Sequence, residues 1–94
     1  MESLNDKLER YEKLTGKALE TVSIKNNLTI KERKVAEDFM SMAKNYYSDA
    51  NFFRQNGELE TSLAAFSYAH AWLDAGVRAG ILDGKGNDKL FTLP

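Results

Sequence analysis

Ninety-four residues, 43% of them hydrophobic and 29% charged, with a formal net charge of -1, leave room for one core only, since domains centre on roughly 100 to 150 residues. The near-neutral balance argues against a dominant electrostatic grip on nucleic acid, which needs a basic surplus, and leaves room only for a local basic patch, and a chain without cysteine forms no disulfide and no thiolate metal site. No apolar run approaches the roughly 20 residues that cross a bilayer, and Met1-Glu2-Ser3-Leu4-Asn5-Asp6 lacks the basic-then-apolar order of a signal peptide, so no membrane association and a cytoplasmic location are expected.

The first element places Leu4, Leu8, Tyr11, Thr15, Ala18 and Val22 at steps of four and three, with Leu14 and Leu19 widening the stripe. That is an amphipathic helix over about 4–22. Ser3 suits its N-cap, and Asp6 with Arg10 and Glu9 with Lys13 are acid-before-base pairs one turn apart. The pattern stops at Ser23-Ile24-Lys25-Asn26-Asn27, a short polar connection.

Thr29-Ile30-Lys31-Glu32 has the form of a capping box, with hydroxyl and carboxylate each serving a free amide of the first turn. The spacing predicts a second helix over 30–55, its apolar face running Val35, Phe39, Met42 with Ala43, Tyr46, Ala50 and Phe53. Asn56-Gly57 ends it, because glycine takes the left-handed conformation at little steric cost. After so short a turn a third helix, 58–79, must fold back antiparallel. Its stripe is Leu59, Leu63, Phe66, His70, Leu73 and Val77, while Ala65, Ala69, Trp72 and Gly76 form a second apolar face. Gly80 is its stop. The extension 81–94 has a turn-rich centre and an apolar end, Leu90-Phe91-Thr92-Leu93, expected to pack back onto the body. The fold class is therefore all-α: one domain, residues 1–94, a three-helix bundle dominated by a long antiparallel helical hairpin.

The chemistry-bearing residues favour structural roles. His70 lies on an apolar stripe, and running the hairpin back from Gly57 sets Tyr46 across from it, so a buried hydrogen bond between the two is expected. Zinc would need His70 with carboxylates such as Asp49 and Asp74, at points of the hairpin that do not meet. Asp74 has a nearer partner in Arg78, one turn on, and Asp49 is left to Arg54 or water. No serine sits at a strand-to-helix elbow, and Gly84-Lys85-Gly86 lacks the flanks of a phosphate loop. Neither catalytic residues nor a cofactor are expected.

The aromatic residues carry more information. Tyr46-Tyr47 and Phe52-Phe53 are adjacent pairs, and neighbours on a helix differ by about 100° in direction, so both rings of a pair cannot enter one interface. Helix one or the tail is expected to cover some of them. The rest define a candidate interaction surface, Tyr47, Phe52, Tyr68, Trp72 and Gly76, with small residues alongside that let a neighbouring backbone come close. A core this thin makes a homo-oligomer the expected partner arrangement.

The text from Tyr47-Ser48-Asp49-Ala50-Asn51-Phe52-Phe53 through Gly57 to Ala64-Ala65-Phe66-Ser67-Tyr68-Ala69-His70-Ala71-Trp72-Leu73-Asp74-Ala75-Gly76-Val77-Arg78-Ala79-Gly80 resembles the archaeal helical proteins of the domain of unknown function 357 family. The resemblance implies a helical bundle and an archaeal cytoplasm, and brings no activity with it. The chain is similar more loosely to nucleotide-binding-associated helical domains, some of them ribonucleases, that use an arginine followed within a few residues by histidine. Arg78 has no histidine after it; His70 precedes it. Two functions of different class follow: a non-catalytic, self-associating interaction or scaffold domain, and, as the alternative, a nucleic-acid-associated helical protein related to degenerate helical nucleases.

Overall fold

Helix starts are where this sequence acts most locally. The Thr29 hydroxyl accepts from the Glu32 amide at 3.1 Å and the Glu32 carboxylate accepts from the Thr29 amide at 2.9 Å, and Ser3 accepts from the Asp6 amide at 3.1 Å. In the computed structural model, which describes residues 1–94, these caps open two of three helices: α1 (Leu4–Thr21), α2 (Ile30–Gln55) and α3 (Leu59–Arg78). Gly57, at φ +79°, turns the chain between α2 and α3. Two-residue strands β1 (Ser23–Ile24) and β2 (Leu82–Asp83) pair antiparallel, Ser23 opposite Asp83 and Ile24 opposite Leu82. The connection expected to be merely polar is thus a strand. Its partner lies far along the chain, and two residues carry no periodicity.

Small residues set the α2–α3 packing. Ala36, Ala43 and Ala50, spaced by seven and fully buried, form the inner line of α2. They meet Ala65, Phe66, Leu73 and Val77 of α3. The Ser62 hydroxyl, also fully buried, donates to the Ala50 carbonyl at 2.7 Å and ties the hairpin near its turn. Of the apolar face read from the sequence, Ala43 and Ala50 do lie on this inner line, but the large residues do not: Val35 is 40% exposed, and Phe39, Met42, Tyr46 and Phe53 are only half-buried. Large residues placed on the inner line would hold the helices apart, whereas alanine lets them approach toward the lower end of the roughly 8–10 Å interaxial range.

α1 lies mainly along α3. Its Leu8 joins Ala50, Ala65 and Phe66 at one end of the molecule, and Ala18 and Val22 join Leu73, Val77 and Leu82 at the other. The C-terminal extension completes that second cluster with Ile81, Leu90 and Phe91. Phe66, Leu8, Leu73 and Leu82 are the largest fully buried hydrophobic side chains, each worth about 1.5–3 kcal/mol of transfer free energy. At the surface, Lys13 pairs with Glu9 at 3.0 Å, but Arg10 reaches back to Glu2 with two bonds of 2.8 and 2.9 Å instead of meeting Asp6. The two parallel bonds match the guanidinium fork to the carboxylate.

Candidate interaction surface

α3 presents three polar residues at one-turn intervals, and all three hold the tail. His70 Nε2 donates to the Leu90 carbonyl at 2.7 Å, while Nδ1 lies 3.1 Å from the Thr15 hydroxyl of α1. A carbonyl only accepts, so Nε2 carries a proton, and in the neutral ring Nδ1 accepts from Thr15. The Asp74 carboxylate accepts from the Thr92 amide at 2.9 Å, and Arg78 donates to the Leu93 carbonyl at 2.8 Å. Two expectations are thereby corrected: His70 does not bond Tyr46, and Asp74 does not pair with Arg78. A hairpin register cannot anticipate partners supplied by α1 and the tail. Arg54 pairs with Glu12 of α1, leaving Asp49 exposed. No three His, Asp or Glu side chains gather in a metal-ligating cluster.

The five candidate surface residues divide. Gly76 is buried, with Leu82 seated over it: a Cβ there would stand 2.6 Å from Leu82 Cγ and nearer still to Cδ1. Tyr47 lies under α1, its hydroxyl donating to the Glu12 carbonyl at 3.4 Å and its ring 5.5 Å edge-on from Phe66. Neither belongs to an open surface, because the tail and α1 have taken those positions. Phe52 is 60% exposed but beside Phe53 only, 6.0 Å ring to ring.

Tyr68 and Trp72 do share an open face, on the side of the hairpin away from α1. Tyr68 is 48% exposed. Its ring stands 4.4 Å from Tyr46 and 6.1 Å from Trp72, which in turn meets Phe39 at 5.0 Å, all edge-on. Trp72 Nε1 is enclosed without an acceptor. Tyr68 separates two shallow hollows. One, of about 300 Å³, is lined by Tyr46, Phe53, Thr61, Ala64, Ala65 and Tyr68; the other, of about 230 Å³, by Phe39, Tyr68, Ala71, Trp72 and Ala75. Along the middle of α3 the exposed residues Thr61, Ala64, Ser67, Tyr68, Ala71 and Ala75 carry no charge; Glu60 and Arg78 are exposed at its two ends, and Asp49 is exposed on α2 between Tyr46 and Phe53. Sequence reasoning missed the α2 half of this face by assigning Val35, Phe39, Tyr46 and Phe53 to the core.

The family described as Protein of unknown function (DUF357) matches the chain over residues 10–82. The chain belongs to that family. The match takes in α2, α3 and β1 completely, and so the whole hairpin with its open face and the Gly76–Leu82 contact; the tail beyond residue 82 lies outside it. No curated protein and no solved structure matches the chain. For a member of the DUF357 family the fold is a three-helix bundle, and no helix is long and apolar enough to cross a membrane.

Proposed function

We propose that this DUF357 protein is a non-catalytic helical interaction domain that self-associates through the open face of the α2–α3 hairpin. The observation that carries the reading is that face itself: aromatic residues Phe39, Tyr46, Phe53, Tyr68 and Trp72 beside an uncharged alanine strip. Contiguous exposed apolar surface on a small protein is the ordinary mark of an interface, and tyrosine and tryptophan are enriched at its energetic centre. The polar residues that chemistry could have used support the same reading, because His70, Asp74 and Arg78 are occupied in fixing the tail. The net charge of -1 supplies no overall basic surplus for the phosphate-binding alternative.

Sedimentation equilibrium of the wild type and of Tyr68→Glu, from low to high micromolar concentration, tests the proposal. Tyr68 is preferred to Trp72 for substitution because its ring is half outside the fold, so a charge there disturbs association before stability. The expected result is a concentration-dependent dimer that the variant abolishes while keeping its helical circular dichroism. A wild type that stays monomeric throughout sinks the reading.

A further inference from the structure

The chain holds its own tail much as a binding domain holds a peptide, through the main chain. Three bonds from α3 secure it, His70 to the Leu90 carbonyl, Asp74 to the Thr92 amide and Arg78 to the Leu93 carbonyl. Leu90 and Phe91 are buried in the groove between α1 and α3, with the Phe91 ring stacked on His70 at 6.4 Å between centroids. Inside the tail, the Asn87 side chain accepts from the Lys89 and Leu90 amides and its carbonyl accepts from the Phe91 amide at 3.1 Å. Residues 87–94 therefore carry their own turn, and the groove can read them whichever copy they belong to.

The connection between tail and body is strained. Asn87 donates its amide to the Gly84 carbonyl at 3.1 Å to close a turn, and both central residues are left-handed, Lys85 at φ +58° and Gly86 at φ +68°. Glycine takes that conformation freely; lysine does not. Lys85 is held there by bonds at the exposed surface, its amide to the Asp83 carboxylate at 2.8 Å and its ammonium to the Ser23 hydroxyl at 2.6 Å. Exposed bonds of this kind contribute little. A tail kept by its own chain keeps the strain, and a tail given to a second copy sheds it.

We propose that two copies of the chain exchange residues 87–94, each tail lying in the α1–α3 groove of the other. Domain exchange is favoured where a short connection is strained and the same contacts form in either copy. Both conditions hold here. Opened out, residues 84–87 reach about 13 Å, so the two β2 ends lie near each other and each bundle stays intact. Relief at two hinges favours the exchanged dimer by about 30-fold or more, against the millimolar effective concentration of a short tether. Exchange then sets in at roughly tens of micromolar. It uses α1, α3 and the tail, and does not depend on the open face of the hairpin.

The Thr92 hydroxyl and the Asp74 carboxylate stand 3.4 Å apart, and the chain has no cysteine. A chain carrying both Asp74→Cys and Thr92→Cys therefore closes its disulfide within one chain if the tail is kept, and between two chains if it is exchanged. Oxidised from low to high micromolar concentration and separated without reductant, it is expected to give a covalent dimer whose share grows with concentration. In that background Gly86→Pro, whose fixed φ of about −65° the closed turn cannot accept, should make the dimer predominant. Lys85→Gly, which removes the strain, should lower the association constant by about tenfold. A disulfide confined to single chains at every concentration, or none at all, overturns exchange, as does a Gly86→Pro variant that dimerises no better. A covalent dimer that Tyr68→Glu abolishes also overturns it, because that product arises from the open face; one that Tyr68→Glu leaves unchanged supports exchange even if association through that face fails.

Discussion

Gly76 offers the sharpest test of the packing, because two principles predict opposite signs for Gly76→Ala. In the interior of α3 the substitution should stabilise by about 1 kcal/mol through helix propensity. The structure opposes this, since the new Cβ would stand 2.6 Å from Leu82 Cγ and closer to Cδ1. Leu82 is fully buried and its backbone is held by the β1–β2 pair, so it has no free volume to rotate into. Overpacking of this kind costs about 1–3 kcal/mol. The net expectation is a loss of up to about 2 kcal/mol, or a fall in melting temperature of up to roughly 15 °C at the 4–8 °C per kcal/mol usual for domains of this size. Leu82→Ala alone should cost about 2–5 kcal/mol. Combined with Gly76→Ala it should cost less than the sum of the two, because the added methyl occupies part of the vacated space. Urea denaturation of the four proteins in this cycle measures the coupling. A Gly76→Ala variant more stable than wild type by the full propensity gain, with additive effects in the double variant, would refute the seating of Leu82 on Gly76.

Gly57→Val should destabilise by more than the ~1 kcal/mol of a propensity change, since a branched side chain at φ +79° is strained even though nothing lies within 4 Å; an unchanged thermal melt would count against the turn geometry. His70→Ala leaves the Thr15 hydroxyl and the Leu90 carbonyl without their partner and should cost about 1–3 kcal/mol for each group left buried and unpaired. His70→Gln should cost less, and increased proteolysis after residue 88 in the alanine variant would report the released tail. The Glu32 carboxyl is held below its ordinary value of 4.5 chiefly by the bond from the Thr29 amide. Its contribution is therefore full at neutral pH and lost as pH falls through the depressed value. The stability gap between wild type and Glu32→Gln, followed by thermal melts from neutral to acid pH, should narrow on acidification; a gap independent of pH contradicts the capping role.

The elements were legible in the sequence because their causes are local. A hydroxyl and a carboxylate three residues apart start α2, a glycine at positive φ ends it, and apolar steps of three and four give α1 and α3 their faces. The inward line of α2 was not legible in the same way. Ala43 and Ala50 belong to the face read from the sequence, but hydrophobicity favours Val35 and Phe39 over Ala36, whereas close helix approach selects small volume, and volume matters only once a specific neighbour is in place.

The site followed the same division. Tyr68 and Trp72 could be singled out because adjacent and alternating aromatics exceed what one interface can hold. Which of the five candidates remain accessible depended on where α1 and the tail came to rest. α1 covers Tyr47, and the tail, held by His70, Asp74 and Arg78, positions the segment that places Leu82 on Gly76. Sequence alone thus determined the three helices, the turn between the two longest, and the surplus of aromatic surface, all products of residues a few positions apart. Only the tertiary structure decided the partner of His70, the β1–β2 pair and the location of the open face, because each joins residues distant in the chain, where closeness is set by how whole helices pack and not by any local preference.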